Sequence, residues 1–587
     1  MAEPSAPLIV QTDRTILVDT SSPAYAEARD ALVRFAELEK SPEHFHTYRI
    51  TALSVWNAAA SGLSAAAMET TLRALARYDV PRNVVQFLHD TVAKYGKVRL
   101  KREGSRLFLE CDDHLVLTQA WNNRYVRQHL LGEPAAGRVE VDAALRGHVK
   151  QAMIKLGYPV EDLAGYVEGA PLAVTLRGTM AGSGKTLHLR PYQEEAVAVF
   201  HAGGSVRGGS GVVVLPCGAG KTLVGIGTMA QVGRKTLVLT TSLTAVRQWK
   251  SELLDKTDLR PDQVGEYTGE VKDVRPVTIT TYQILTYRRS RTEGFVHFDL
   301  FRAADWGLVV YDEVHLLPAP VFRVTAGIQA LRRLGLTATL VREDGKEEDV
   351  FTLIGPKLYD VPWKVLERQG WIATAECAEL RVPMDHDLRV RYAGADRREA
   401  FRMASENPAK LVALRRVLRR HAKDRVLVIG QYLDQIEAYA KEVRAPVITG
   451  KTPQKDRDRL YGAFRDGTLP LLFVSKVGNF AIDLPDANVL VQVSGTFGSR
   501  QEEAQRLGRV LRPKSDGSSA RFYTLVTRDT VEQDPFAEKR QRFLTEQGYA
   551  YAIVDLDRED ADLDRRGPDA RGRRPGAAAP AEGRAAC

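Results

Sequence analysis

Leu215-Pro216-Cys217-Gly218-Ala219-Gly220-Lys221-Thr222 runs small residues into a lysine and a hydroxyl residue. That composition suits a phosphate cradle. Such a cradle needs a strand to deliver the chain, small residues that let backbone N–H groups converge, and a helix whose positive N-terminus faces the phosphates. Gly182-Ser183-Gly184-Lys185-Thr186 is a second candidate upstream. Neither fits G-x-x-x-x-G-K-[ST] in full, because Leu215 and Thr179 stand where the first glycine belongs. The flanks decide. Gly211-Val212-Val213-Val214-Leu215 reads as a buried parallel strand, and the residues after Thr222 continue as a helix, although Gly225 and Gly227 weaken it. After Lys185 the chain soon meets Pro191, which disfavours a helix there. Lys221 is therefore read as the phosphate lysine, Gly182–Thr186 as a polar loop, and Cys217 as a small residue that fits its loop.

A second constellation is Asp312-Glu313-Val314-His315, after the apolar run Leu308–Tyr311. A carboxylate at the carboxyl end of a strand beside a phosphate loop can hold Mg²⁺, and its neighbour can polarise an attacking water. The reading gives Lys221 the β/γ-phosphates, Thr222 and Asp312 the Mg²⁺, Glu313 the water, and His315 a coupling or structural hydrogen bond. Gln505-Arg506-Leu507-Gly508-Arg509-Val510-Leu511-Arg512 places Arg509 and Arg512 three apart, on one helix face. A pair like this facing a cleft can stabilise charge on a transferring phosphoryl group.

Parallel sheets are the scaffold that brings such groups together. Apolar runs alternate with helical runs at Val212–Leu215, Thr236–Leu239, Val277–Thr280, Leu308–Tyr311 and Leu334–Thr337. A second set follows at Val426–Ile429, Pro446–Ile448, Leu471–Val474, Val489–Val493 and Phe522–Val526. The expected organisation is an α-rich accessory region at 1–130 ending in a basic-tipped, winged-helix-like hairpin (Val98–Leu100 with Leu107–Leu109), and a small segment at 131–186. One lobe follows at 187–366, a second at 367–554, and a disordered tail at 555–587. The tail splits into a stretch of net −5 followed by one of net +4, so the excess of +9 over 587 residues belongs to the body. That balance is compatible with nucleic acid. The sequence holds no run of about 18 apolar residues, no secretory signal and no cysteine framework, and a cytoplasmic protein without a membrane span is expected.

The motifs together resemble the superfamily 2 helicases, and within them the XPB-type DNA repair helicases in their bacterial form. Arg190-Pro191-Tyr192-Gln193 is similar to the adenine-recognising Q motif, Leu215–Thr222 to motif I and Asp312–His315 to motif II. Thr240-Thr241-Ser242 through Gln248-Trp249 resembles motif Ia, with Thr280–Gln283 after it, and Leu336-Thr337-Ala338-Thr339 resembles motif III. Ser475–Gly478 with Ile482–Pro485 resembles motif V, where Asn479-Phe480 departs from the usual pair, and Gln505–Arg512 resembles motif VI. Arg342-Glu343-Asp344 matches the RED motif of XPB-like helicases, and Leu353–Tyr359 their interlobe stretch.

The resemblance implies two RecA-like lobes that close on ATP and Mg²⁺, and 3′→5′ movement on single-stranded, forked or duplex DNA. It implies that Arg190, Gln193, the loop Pro216–Thr222 and Gln505 bind nucleotide. DNA contact or coupling falls to Thr241, Gln248, His315, Thr337, Thr339, Arg342, Glu343, Asp344 and Ser475. A thumb-like insertion falls near 387–405, and 131–186 occupies the place of a damage-sensing module. A nuclease or a repair or transcription partner is expected, with the chain itself a monomer. Two enzyme alternatives, a restriction-type motor and an RNA helicase, are disfavoured by the absence of a nuclease domain and by the RED motif. An ATP-gated switch that recruits a partner is the alternative from a different class.

Overall fold

Antiparallel pairing dominates the first 162 residues and builds two separate sheets. The computed structural model describes residues 6–40, 44–205, 207–216, 218–290, 296–318, 321, 322, 325, 328, 331–338, 347–361, 363–475, 487–494, 520–533 and 551–556. In the first unit β1 (Leu8–Val10), β2 (Thr15–Asp19), β3 (Glu37–Lys40) and β4 (Phe45–Arg49) pair in the order β1-β2-β4-β3. Helices Ala52–Ala60, Ala65–Leu75 and Arg82–Lys94 bury Val55, Met68, Leu72, Val84 and Leu88 in its core. In the second unit β5 (Val98–Glu103), β6 (Arg106–Cys111), β7 (Leu130–Ala135), β8 (Arg138–Val141) and β9 (Val160–Asp162) pair as β7-β8-β6-β5-β9.

This topology corrects two expectations. The hairpin β5–β6 exists, but it lies inside a five-stranded sheet and is not a free wing. The boundary expected at 130/131 falls on the first residue of β7, which is bonded to β8, so the break between units lies near 95–98 instead. The segment expected as 131–186 is divided likewise. Its first part completes the five-stranded sheet. Its later part lies on the first lobe, where Leu172 N–H donates to Gly233 O at 3.0 Å and Leu172 and Val174 join the core.

The first lobe has β10 (Ser210–Val214), β11 (Thr236–Thr240), β12 (Val264–Tyr267), β13 (Val277–Thr281), β14 (Leu308–Asp312), β15 (Arg332–Thr337) and β16 (Lys357–Asp360). All pair in parallel, in the order β12-β13-β11-β14-β15-β10-β16. Val, Leu and Ile dominate the central strands because helices cover both faces. The second lobe repeats the plan with β17 (Ala375–Val382), β18 (Val426–Gly430), β19 (Val447–Ile448), β20 (Leu471–Ser475), β21 (Val489–Gln492), β22 (Ala520–Thr527) and β23 (Tyr551–Asp555), ordered β19-β20-β18-β21-β22-β17-β23. The thumb-like region is a pair of helices, His386–Gly394 and Arg397–Ser405, with Arg389, Arg391, Arg397, Arg398 and Arg402 exposed. All but the first two residues of the expected tail lie outside the described residues.

The N-terminal units dock on the chain that leads out of the first lobe. Trp56, Ile154 and Phe351 form one apolar cluster. Asn57 Oδ1 accepts the Lys357 N–H at 2.9 Å, on the edge strand β16, and Gln151 Nε2 donates to Asp349 at 2.7 Å. In the second lobe the Lys410 ammonium, fully buried, donates to both oxygens of Glu532 at 2.7 and 2.8 Å and to Val493 O at 3.0 Å. This pair ties the helix Ala409–Arg420 to the turn after β22. Glu532→Gln strands a buried charge and is expected to cost about 3–5 kcal/mol of lobe stability, whereas the double change Lys410→Met/Glu532→Gln costs far less. Urea denaturation of the three proteins measures the difference.

Candidate active site

The site begins with strand register. Val214 of β10 pairs with Thr337 of β15, and Leu336 pairs with Asp312 of β14. The three strands therefore end flush, with β15 between the phosphate-loop strand and the acidic strand. Two interstrand spacings make the gap about 10 Å, a distance that a long lysine and a glutamate can span between them. After Pro216 the chain takes left-handed turns at Gly218 (φ 82°) and Gly220 (φ 80°), which side-chain-bearing residues resist. A Cβ on Gly220 would also lie 2.5 Å from Gln193 Nε2. Lys221 then opens the helix Lys221–Val232, whose first-turn N–H groups face the loop. Its glycines are spacing devices: a Cβ on Gly225 would lie 2.5 Å from Trp249 Cη2, and one on Gly227 3.2 Å from Leu189 and Val197.

Lys221 Nζ lies 3.5 Å from Glu313 Oε1. Glu313 has φ 52° and ψ 54°, a strained backbone for a non-glycine residue that turns its carboxylate toward the loop. His315, buried, sets Nδ1 2.7 Å from Thr337 Oγ1 and 3.5 Å from Glu313 Oε2. The hydrogen bond expected of His315 therefore runs to Thr337 on β15. Asp312 accepts the Trp249 indole N–H on Oδ2 at 2.9 Å, and its backbone carbonyl accepts the Tyr282 hydroxyl at 2.9 Å. Burial, and then the Glu313 charge beside it, pushes the Asp312 carboxyl up to about 6. Trp249 and Tyr282, which the motifs include without a role, both hold Asp312, from the helix after β11, the neighbour of β14, and from the helix after β13, one strand further out.

The Q-motif residues act on the loop from behind. Tyr192 hydroxyl and Gln193 Nε2 both donate to Ala219 O at 2.8 Å, while Gln193 Oε1 accepts the Arg190 N–H at 2.9 Å. Both ends of the Gln193 amide are committed to backbone, so it works as a latch between helix start and loop. Arg190 donates to Trp371 O at 3.3 Å and stacks over the Trp371 ring at 4.8 Å, joining the Q motif to the start of the second lobe. Thr241 sits just past β11 on the same sheet edge, and Gln248 is exposed beside buried Trp249. Ser475 closes β20 at the carboxyl edge of the other sheet, buried, with its hydroxyl making no hydrogen bond among the described residues. Thr222 lies in the first helical turn, half-buried. Cys217, Thr339, Arg342, Glu343, Asp344, Gln505, Arg509 and Arg512 lie outside the described residues.

Lys185 is placed elsewhere. Met180 N–H donates to Lys185 O at 2.8 Å in an exposed turn, and Asp255 Oδ1 takes the Gly182 N–H at 2.7 Å. A carboxylate thus occupies the side of this loop that an anion would need.

The residues present fit a nucleotide with a divalent cation. The left-handed turns at Gly218 and Gly220 leave a loop whose one side chain between them is the buried Ala219 methyl, and Glu313 Oε2 is buried with no hydrogen-bond partner among the described residues. Among the described residues no set of three or more His, Cys, Asp or Glu side chains could hold a metal alone. Asp312 with Thr222 thus leaves most ligand positions to phosphate and water, as suits Mg²⁺.

A phosphate loop, a paired acid and a coupling threonine on the carboxyl edge of one parallel lobe, stacked through Arg190 and Trp371 on a second such lobe, define a two-lobed nucleotide-driven motor of the superfamily 2 class. Residues 366–566 match the model of the ERCC3/RAD25/XPB C-terminal helicase, 182–342 that of the type III restriction enzyme res subunit, and 8–135 that of a helicase conserved C-terminal domain. The chain is 52% identical to the DNA 3′-5′ helicase XPB of Kineococcus radiotolerans, covering 94% of this chain and 97% of the relative. It is 51% identical to the DNA 3′-5′ helicase XPB of Mycobacterium tuberculosis, covering 94% and 98%. Identity is 36%, with 94% and 83% covered, to the general transcription and DNA repair factor IIH helicase/translocase subunit XPB of Encephalitozoon cuniculi. The chain belongs to the XPB family of DNA helicases.

Trp249→Phe keeps an aromatic ring in the core, leaves a gap beside Gly225 and removes the N–H that holds Asp312. It is expected to lower nucleotide turnover by roughly tenfold, the rate equivalent of a hydrogen bond to a charged group, with little change in the folded state by circular dichroism. Gly225→Ala is expected to destabilise the first lobe by about 1–3 kcal/mol through overpacking against Trp249, read from the urea midpoint.

Proposed function

We propose that this chain is an ATP-driven DNA 3′→5′ helicase and translocase that works in DNA repair, with Mg²⁺ as its metal. The observation that carries the reading is the meeting of Lys221 with Glu313, beside Asp312, in a chain half identical to bacterial DNA 3′-5′ helicases along almost its whole length. ATP with Mg²⁺ supplies a phosphoanhydride whose cleavage is strongly downhill. Lys221 and the first-turn N–H groups hold the phosphate end and neutralise charge there. Asp312, kept in place by Trp249, and Thr222 would hold the cation, which would supply charge neutralisation at the phosphates. Glu313, released from Lys221, takes a proton from the attacking water. The His315–Thr337 contact passes the state of Glu313 to β15 and so to the segment that carries the RED motif.

Movement follows from two lobes that meet through Arg190 and Trp371. Closure and reopening of the cleft shift one lobe along a strand relative to the other. Backbone contacts of that kind are indifferent to sequence and weakened by salt. A cytoplasmic location and a nuclease or repair or transcription partner fit this reading. No helix among the described residues is long and apolar enough to cross a membrane.

The test is steady-state ATPase with no nucleic acid, single-stranded DNA, forked DNA and RNA. DNA is expected to stimulate the wild type and Lys185→Ala alike. Lys221→Ala is expected to lose roughly 10³-fold or more in turnover, and Glu313→Gln roughly 10²–10⁴-fold. Stimulation by RNA alone would overturn the substrate class. DNA-stimulated hydrolysis without displacement of a DNA-bound block would favour the ATP-gated switch instead.

A further inference from the structure

A cavity of about 270 Å³ lies where the two N-terminal units meet the first lobe. It sits at the start of β10, roughly 16 Å along the strand from the phosphate loop. Tyr95, from the end of the first unit's last helix, lines it. So do Lys150, Glu161 and Asp162 of the five-stranded unit, and Arg207 and Ser210 of the first lobe. The cavity belongs to none of the nucleotide or coupling residues described above.

The lining sets Lys150 and Arg207 against Asp162 and Glu161, and the positive excess comes from guanidinium groups buried behind it. Arg146, itself buried, grips Asp162 with Nε and Nη2 at 2.6–3.1 Å and donates Nη1 to Gly165 O at 3.0 Å. Lys150 Nζ lies 3.1 Å from Asp162 Oδ2. Two buried cations therefore share one carboxylate. Arg333, bound to Leu353 O at 2.8 Å and Ser210 Oγ at 2.7 Å, adds a third positive field nearby. Burial pulls the Lys150 ammonium down to about 7 against the attraction of Asp162, and Arg333 and Arg146 push it the same way. At the mouth, exposed Arg207 stands 3.8 Å from Glu161 Oε1, too long for a tight pair. A buried cation short of neutralising charge is costly, and an anion beside it removes that cost.

We propose that this cavity binds a small oxyanion of the phosphate class, held by Lys150 at the base, the Tyr95 phenol on the wall and Arg207 at the mouth. The size limits the ligand, since drug-sized molecules occupy roughly 300–1,000 Å³. The three donors come from the three units that meet here. The bound anion fastens the N-terminal units to the lobe beside Gly355 and Pro356, which lead into β16 and on to the second lobe. Occupancy thus sets how firmly the accessory units hold the interlobe connector.

Thermal unfolding and calorimetric titration of the full chain test this, with inorganic phosphate, pyrophosphate and a 5′-phosphorylated dinucleotide as probes at constant ionic strength. Lys221→Ala silences the phosphate loop. A saturable rise of roughly 2–4 °C is expected in wild type and in Lys221→Ala. It should vanish in Lys150→Met and need about tenfold more anion in Arg207→Gln. If Lys150→Met fails to fold, Tyr95→Phe and Arg207→Gln carry the test, because each removes one donor at the accessible side. Binding of phosphate itself identifies a free anion as the ligand, and binding of the dinucleotide alone identifies a nucleic-acid end. An unchanged response in Lys150→Met or in both milder variants, a response lost with Lys221→Ala, or none in wild type overturns the proposal.

Discussion

Lys221 and Glu313 lie 92 positions apart in sequence and 3.5 Å apart in space, and parallel register is the constraint that brings them together. β10, β15 and β14 must end level, because a slip of one residue would turn each side chain to the opposite face of the sheet. Much of the first lobe serves that alignment. The backbone of Gly218 and Gly220 permits the left-handed turns after β10. Gly225 lets the helix after Lys221 approach Trp249, and Trp249 in turn fixes Asp312. Tyr192 and Gln193 hold Ala219 from behind, so the loop is shaped before a ligand arrives. Preorganisation of this kind lowers the reorganisation needed during reaction.

The same edge is wired outward. His315 joins the acidic strand to β15 through Thr337. Arg190 and Tyr192 join the loop to Trp371 and the second lobe. The N-terminal units grip the helix Glu347–Leu353 and β16, which is the route by which the chain leaves the first lobe. A closing motion has to flex this route, so the accessory units stand where they can restrain it. They are two compact sheets with their own cores, which suits a part that holds or releases as a body.

Much of this was legible in the sequence where burial is uniform. Ten apolar runs marked ten of the fourteen lobe strands among the described residues, each within a residue or two of its observed ends. The strands missed were those whose chemistry disguises them. β17 carries Glu376 and Glu379 within a sheet; Arg521 pairs with the first at 3.1 Å and Arg381 with the second at 2.8 Å, so charges stand where an apolar run was sought. β12, β16 and β23 are edge strands, with weaker demands on composition. The N-terminal boundary was misplaced because antiparallel pairing links β7 and β8 back to β6 across a helical insertion, and no local signal reports such a return. Lys221, Asp312 and Glu313 were legible from motif spacing, and His315 as the holder of a hydrogen bond, but its partner Thr337 shows only in the fold. Gln193 places one amide N–H on Ala219 O and its oxygen on the Arg190 N–H, contacts that only the fold reveals. Trp249, Tyr282 and Trp371 act through partners distant in sequence, so only the fold exposes them.

The central claim is that nucleotide sits between the β10 loop and Asp312, within reach of the indole that holds that carboxylate. Energy transfer from tryptophan to a fluorescently labelled ATP analogue with Mg²⁺ addresses it directly, with anisotropy of the analogue reporting binding independently. The account predicts strong transfer in wild type, a marked drop in Trp249→Phe while anisotropy still rises, and no binding in Lys221→Ala. Undiminished transfer in Trp249→Phe, together with unchanged binding in Lys221→Ala, would place the nucleotide elsewhere and contradict the account.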